Sequence, residues 1–96
     1  MKHYVFLKIP AEHNSSELFG GMERILDEAQ TVIAGFQHHQ VLKETNSGTE
    51  AVSALIVLDF ASCEEKDNYL QHPLHLALLQ QIKPVVIEKA VFDSAD

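Results

Sequence analysis

The alternation of apolar and polar residues along the chain predicts four β-strands. The first, His3 to Ile9, is rich in β-branched and aromatic residues. The second runs from Phe36 to Lys43, and a turn signal at Asn46-Ser47-Gly48 separates it from the third. The third, Ala51 to Phe60, has the clearest strand pattern, and the fourth is predicted over Val85 to Phe92.

One long helix is predicted between the first two strands. The segment Asn14-Ser15-Ser16-Glu17 resembles a helix start, with a capping side chain followed by a glutamate. Apolar residues then recur at spacings of four, three and four, which gives one apolar stripe: Leu18, Met22, Ile25 and Ala29. Gly20-Gly21 interrupts this helix, and we expect close packing against a sheet to explain both glycines.

A second helical region lies between the third and fourth strands. The capping box Ser62-Cys63-Glu64-Glu65 opens a short helix that runs through Leu70. Pro73 restarts the helix, since its missing N–H does no harm in a first turn. Lys83-Pro84 ends it. The apolar face of the restarted part is Leu74, Leu78 and Ile82.

The element order is therefore β-α-β-β-α-β. This order predicts an α+β, ferredoxin-like fold, in which both helices pack on one face of a four-stranded antiparallel sheet. At 96 residues the chain fits a single domain over residues 1–96.

Both faces of the predicted sheet carry apolar residues. In the third strand one face presents Val52, Ala54, Ile56, Leu58 and Phe60, and the other presents Leu55 and Val57. In the fourth strand we expect Val85, Ile87 and Val91 on one face and Val86, Ala90 and Phe92 on the other. The helices can cover only one face, and a large exposed apolar patch is a liability. The pattern thus predicts a homodimer in which two sheets pack face to face.

Charge and cysteine content exclude several classes of function. The formal net charge is −7 with only 7 Lys and Arg residues, which argues against nucleic acid and against an anionic membrane surface. Cys63 is the only cysteine, so an internal disulfide and a thiolate metal cluster are excluded. The apolar run Tyr4 to Leu7 is too short for a signal peptide core or a membrane span. We expect a cytoplasmic protein whose partners are a second copy and a small, neutral or weakly polar molecule.

The concentrated chemistry of the chain lies in the box Tyr69-Leu70-Gln71-His72-Pro73-Leu74-His75. Together with the opening Lys2-His3-Tyr4-Val5-Phe6-Leu7-Lys8 and the closing stretch Pro84 to Asp93, this box resembles the stress-responsive α/β-barrel domain (Dabb) family. The resemblance spans nearly the whole chain, and Tyr-x-x-His-Pro-x-His is its most specific part.

The resemblance implies a ferredoxin-like subunit that pairs into a dimeric α/β barrel. Most members have no assigned reaction, but some relatives are polyketide cyclases that act by acid–base chemistry without a cofactor. Carried over by position, their pocket residues would be Tyr69, His75 and His3. Some cyclases also carry a histidine on the third strand, near Ser53-Ala54, and this sequence lacks it. A related branch contains cofactor-independent monooxygenases, but no residues here match that branch.

Each histidine of the box also has a structural interpretation. His72 precedes a proline where a helix cap belongs, so capping alone explains it. A helix start does not require His75, which leaves a role in proton transfer open. Tyr69 could hold a substrate oxygen or simply pack its ring. His3 could likewise be a hydrogen-bonded strand residue.

We predict neither a metal site nor a cofactor. No Asp or Glu lies between Asn68 and Gln81, and His38-His39 should point to opposite faces of a strand. Two functions remain open from the sequence. The first is a dimer that binds a small apolar or phenolic/carbonyl molecule, with cofactor-independent acid–base chemistry of the cyclase or lyase type. The second is a non-catalytic, stress-associated or structural dimer.

Overall fold

The computed structural model describes residues 1–44 and 51–95. In chain order the strands and helices are β1 (Lys2–Pro10), a 3-10 turn (Ala11–His13), α1 (Ser16–Val32), β2 (Phe36–Lys43), β3 (Ala51–Phe60), α2 (Cys63–Leu70), α3 (Pro73–Ile82) and β4 (Glu88–Ser94). The predicted turn at Asn46-Ser47-Gly48 lies outside the described residues.

The four strands form one antiparallel sheet in the order β2-β3-β1-β4. The predicted ferredoxin-like α+β fold is confirmed. β1 is a central strand that pairs with both β3 and β4, so His3 has Leu58 beside it on one strand and Asp93 on the other. This register brings the two ends of the chain together.

The core lies between one face of the sheet and the helices. Alternate residues of β1 and β3 are buried, as a sheet covered on one side requires. The side chains with almost no exposure include Leu7, Ile9, Ile56, Leu58 and Phe60 from the sheet and Met22 and Leu26 from α1. Burying each aliphatic or aromatic side chain of this size contributes about 1.5–3 kcal/mol.

The start of α1 confirms the prediction, but its buried stripe is wider than predicted. The Ser15 Oγ accepts a hydrogen bond from the Leu18 N–H at 3.1 Å, so Ser15 is the cap within the predicted segment. Met22 and Ala29 are buried as predicted, whereas Leu18 and Ile25 are only half-buried at the margin of the core. Phe19 and Leu26, one residue along from those two, carry the rest of the buried face.

The prediction that both glycines of α1 pack against the sheet was wrong. A Cβ added to Gly21 would meet the Gln81 Oε1 at 2.9 Å, so Gly21 lets α1 approach α3 closely. At Gly20 the nearest atom would be 3.7 Å away, in the Arg24 side chain, which is an ordinary contact.

The prediction that the fourth strand begins at Val85 was also wrong, since β4 begins at Glu88. The Val85 and Val86 N–H groups both donate to the Ile82 carbonyl, at 3.0 and 2.9 Å. Because these two N–H groups are hydrogen-bonded to the end of α3, they cannot form hydrogen bonds with β1. Both side chains pack against the edge of the core. The expected alternation of faces over residues 85–87 is therefore absent.

The second apolar face of the sheet is present and lies away from the helices. We call it the outer face. The register places Tyr4 beside Val57 and Phe92, and Phe6 beside Leu55 and Ala90. Leu42 pairs with Leu55 and completes the set. Phe92 is 65% exposed and Leu42 is 44% exposed.

Candidate functional site

A cavity of about 170 Å³ lies between the sheet and the pair α2 and α3. Most of its lining is apolar, and its polar residues are two histidines, a tyrosine and a lysine. The lining residues are His3, Val5, Ile56, Leu58, Tyr69, Leu70, His75, Leu78, Leu79, Ile82, Lys89 and Val91. All three residues singled out from the sequence, Tyr69, His75 and His3, therefore line the same cavity.

The junction between α2 and α3 determines how the box faces this cavity. α2 ends after Leu70, and His72 caps the next helix through its Nδ1, which accepts a hydrogen bond from the Leu74 N–H at 3.0 Å. Pro73 occupies the first turn of α3. The structural interpretation of His72 is thus confirmed. Because the chain turns here, Tyr69 at the end of α2 and His75 at the start of α3 meet, with ring centroids 4.9 Å apart.

Tyr69 is the most deeply buried polar side chain of the box, with only 2% of its surface exposed. Its ring packs against those of Phe36 and Phe60 at centroid distances of 5.5 and 5.3 Å. No hydrogen bond joins its hydroxyl to any residue in 1–44 or 51–95. Burial raises the pKa of Tyr69 far above its usual value, so the group stays a neutral hydrogen-bond donor throughout the physiological range.

The His75 ring is held by the backbone at the end of α2. Its Nδ1–H donates to the Leu70 carbonyl at 3.0 Å, which leaves Nε2 as the nitrogen with a free lone pair. Burial lowers the pKa of His75, and the positive field of Lys89 and of His3 adds to this, against the raising effect of the Leu70 hydrogen bond. At neutral pH the ring is therefore an uncharged proton acceptor.

His3 approaches the cavity from the sheet. It is 3% exposed, and its Nδ1 donates to the Asp93 Oδ1 at 2.5 Å across the β1–β4 ladder. No fully buried side-chain nitrogen of the described residues lacks a hydrogen-bond partner. The unpaired Nε2 of His3 must therefore be accessible, and it reaches the cavity because His3 is one of the lining residues.

Asp93 links His3 to α2. Its second carboxylate oxygen lies 3.1 Å from the Lys66 Nζ. Partial burial works to raise the pKa of Asp93, but hydrogen bonds from His3 and Lys66 outweigh it and hold that pKa below its usual value. The carboxylate therefore stays ionised and orients the His3 ring.

Two residues of this site, Asp93 and Lys89, were missed from the sequence. Both lie on β4 on the same side as Val91, and their cross-strand neighbours on β1 are His3 and Leu7. Simple alternation from Val91 would have placed them facing the helices. The signal was missed because the predicted strand ended at Phe92, one residue before Asp93, and because only its apolar residues were assigned to faces.

Of the adjacent histidines His38 and His39, His39 contacts α1. The His39 ring lies 2.5 Å from the Gln30 Oε1 and 2.7 Å from the Asp27 Oδ1, and so ties β2 to α1. In the described part of the chain, no three His, Cys, Asp or Glu side chains gather where they could hold a metal ion. No helix over the same residues is long and apolar enough to cross a membrane.

The position corresponding to the third-strand histidine of some cyclases is structural here. Ala54 is buried on the face that packs against the helices, and Ser53 lies on the other face. Neither residue lines the cavity. The cavity thus brings together the His75 ring, the Tyr69 hydroxyl and the His3 ring, and neither Ser53 nor Ala54 joins them.

The fold and the site define a class of protein, namely ferredoxin-like α+β domains. In this class a small cavity lies between the helices and one face of the sheet, and the opposite face is apolar. A family model described as the stress-responsive A/B barrel domain matches residues 1–96, and the chain belongs to this family.

Solved structures share the fold at low sequence identity. A putative antibiotic biosynthesis monooxygenase from Bacteroides thetaiotaomicron aligns with a TM-score of 0.81 at 11% identity, covering 100% of this chain and 88% of that one. A dimeric ferredoxin-like protein of unknown function from Bacteroides fragilis gives 0.76 at 20% identity, covering 97% and 92%. A cofactor-independent oxygenase from Streptomyces nogalater gives 0.65 at 14% identity, covering 99% and 93%. No curated protein matches the chain.

Proposed function

We propose that the protein is a homodimer that binds a small, largely apolar molecule in this cavity and performs cofactor-independent acid–base chemistry on it. The observation that carries the proposal is the convergence of a neutral histidine and an unpaired tyrosine hydroxyl on one cavity. No fully buried side-chain oxygen of the described residues lacks a hydrogen-bond partner, so the unpaired Tyr69 hydroxyl must open onto the cavity, where a ligand oxygen could accept its hydrogen bond.

The geometry suits proton abstraction next to a carbonyl or phenolic group. In this step the His75 Nε2 takes a proton from a carbon beside the carbonyl, and the C–H electron pair becomes the enolate. The Tyr69 hydroxyl donates a hydrogen bond to the oxygen on which the negative charge develops. Hydrogen-bond donors aimed at developing charge contribute about 10²–10³-fold, and a positioned base contributes about 10²–10⁴-fold.

His3 is a positioned second proton carrier in this proposal. Its Nδ1 is committed to Asp93, so the proton that enters or leaves the cavity does so at Nε2. The two histidines line the same cavity, and His3 contributes to the lowered pKa of His75. One ring can therefore take a proton from the substrate while the other gives a different proton to another atom of it, and exchange with solvent then resets both rings.

The test of this function begins with native mass spectrometry of the protein purified from its own host. We expect a retained small molecule with a carbonyl or phenolic oxygen. Turnover of that compound should fall about 10²–10⁴-fold in His75→Ala and about 10²–10³-fold in Tyr69→Phe. The matched control is His72→Ala, whose ring caps α3 and lies outside the cavity lining. Equal turnover in all three variants would refute a catalytic role for the box.

One observation favours a second candidate, a dimer without catalysis. The sequence has no histidine near Ser53-Ala54, where the resemblance places one in some cyclases, so the cavity lacks one of their groups. In that case His75→Ala would weaken binding of the retained compound, and the wild-type protein would leave the compound chemically unchanged.

The homodimer rests on the outer face. Its apolar residues extend across all four strands, and the Lys2–Asp59 ion pair lies at one end, with 2.8 Å between the charged atoms. Two copies packed through this face would cover Phe92, the most exposed of the large apolar side chains in the described residues. Solved structures of the same fold include proteins described as dimeric.

Light scattering at micromolar concentration tests the pairing. We expect the wild type to be a dimer and Phe92→Asp to be a monomer, because a buried unpaired carboxylate strongly disfavours an interface. The matched control is Leu76→Asp, which places the same charge on an exposed apolar residue of α3, away from the outer face. A monomeric wild type would contradict the pairing.

A further inference from the structure

The lining of the cavity contrasts with the acidic composition of the whole chain. The formal net charge of the protein is −7, yet no aspartate or glutamate of the described residues lines the cavity. Its polar lining consists of His3, Tyr69, His75 and Lys89. The Tyr69 hydroxyl and the Lys89 amine can each donate a hydrogen bond into the cavity, and Lys89 is the cationic side chain of the lining.

No carboxylate in the described ranges forms an ion pair with Lys89. The residue beside Lys89 on β1 is Leu7. Besides His75, α3 contributes only apolar side chains to the cavity, namely Leu78, Leu79 and Ile82. The sequence contains no acidic residue from position 69 to position 87, so α3 cannot supply a counter-charge. By contrast, Lys66 is held by both Asp67 and Asp93, at 3.0 and 3.1 Å.

The charge of Lys89 also acts on the proposed base. It contributes to the lowered pKa of His75, so the amine and the ring belong to one electrostatic environment. A negative group bound beside Lys89 would offset this field. The pKa of His75 would then rise on binding.

The size of the cavity limits the ligand that could supply this charge. Its volume of about 170 Å³ is close to that of an engineered apolar cavity of about 150 Å³ that accepts one benzene molecule. The apolar residues between the polar groups, Val5, Val91 and Leu78 among them, form the part of the site that would contact such a body.

We propose that the ligand is a small apolar carboxylate, with its anionic group paired to the Lys89 amine and its apolar body against the side chains of β1, β4 and α3. This inference rests on the proposed function, since it names the ligand class of the same cavity. Lys89 is then the residue that selects charged over neutral ligands, and Tyr69 and His75 face the opposite part of the molecule.

The test compares two probes of nearly the same shape, benzoate and benzamide, by ligand-observed NMR titration at low salt. We expect benzoate to bind the wild type about tenfold more tightly, which corresponds to about 1.4 kcal/mol. This preference should disappear in Lys89→Gln, because the loss of affinity for benzoate exceeds any loss for benzamide. In the matched control Lys83→Gln, which alters an exposed lysine just beyond α3 and outside the cavity lining, the preference should persist. The NMR midpoint of His75 should rise when benzoate is bound to the wild type, and this rise should be lost in Lys89→Gln.

The outcomes separate this inference from the proposed function. Equal binding of both probes to the wild type would overturn the carboxylate assignment and leave the cavity standing as a binding site. A benzoate preference that survives in Lys89→Gln would overturn the role of Lys89. Binding of neither probe would overturn the inference and also count against the cavity as a ligand site.

Discussion

Replacement of Tyr69 by phenylalanine separates a functional from an architectural role for the hydroxyl. The substitution keeps the ring, which packs against Phe36, Phe60 and His75 in the core. It removes only the oxygen, for which the described residues provide no hydrogen-bond partner. This oxygen must border the cavity, since no fully buried side-chain oxygen of the described residues lacks a partner. Water in the cavity then offsets part of the cost of about 1–3 kcal/mol that a fully buried unpaired hydroxyl carries. We therefore expect the free energy of unfolding to stay unchanged or to rise by as much as about 1 kcal/mol.

The measurement is urea denaturation followed by circular dichroism, at one fixed protein concentration because dimers unfold in a concentration-dependent way. Tyr69→Ala provides the contrast, since it also removes the ring and should lower the free energy of unfolding by about 3–5 kcal/mol. If Tyr69→Phe alone lowered it by more than about 1 kcal/mol, the hydroxyl would be a satisfied part of the architecture. The proposed donor role would then fail.

Three further predictions concern the surroundings of the site. Gly35→Ala should lower the free energy of unfolding by at least about 1–2 kcal/mol, because φ is +80° there and the new Cβ would lie 2.3 Å from the Glu65 Cγ. Gly20→Ala, whose new Cβ would make only an ordinary contact, should instead raise the free energy of unfolding by about 1 kcal/mol. Two changes of the same sign would contradict this. His72→Ala should lower the free energy of unfolding by about 0.5–2 kcal/mol through loss of the α3 cap. A free energy of unfolding that is unchanged in chemical denaturation would show that the cap is dispensable. The NMR titration midpoint of His75 should lie below the ordinary histidine value of about 6.5. Since the pKa of His75 is lower in the folded than in the unfolded protein, its contribution to stability is complete above about pH 6.5 and is lost as the pH falls through the folded pKa. A midpoint at or above 6.5 would refute the neutral state assigned to His75.

The fold could be predicted because its signals are local. Alternation in residues 51–60 and the helical period in α1 each identify an element without knowledge of the rest of the chain. The error at the start of β4 has a physical cause. Val85 and Val86 have the composition of a strand, but their amides are used to end α3, and composition alone does not distinguish these two uses.

The candidate site could be predicted only in part. Tyr69 and His75 stand out because the box is compact in sequence, and His3 followed from the family resemblance. Asp93 and Lys89 are far from the box along the chain and join the site through the register of β1 with β4. The apolar character of the cavity and the unpaired state of the Tyr69 hydroxyl depend on packing between elements, which a single sequence does not specify.

The most direct test of the central claim is a titration of the isotope-labelled wild-type protein with phenol, a neutral probe of one ring and one hydroxyl, followed by aromatic and amide NMR. We expect saturable chemical-shift changes in the rings of Tyr69, His75 and His3, and no such changes in Tyr4 and Phe92 on the outer face. Shift changes confined to the outer face, or none that saturate, would contradict the conclusion that the cavity between the sheet and the helices is the ligand site.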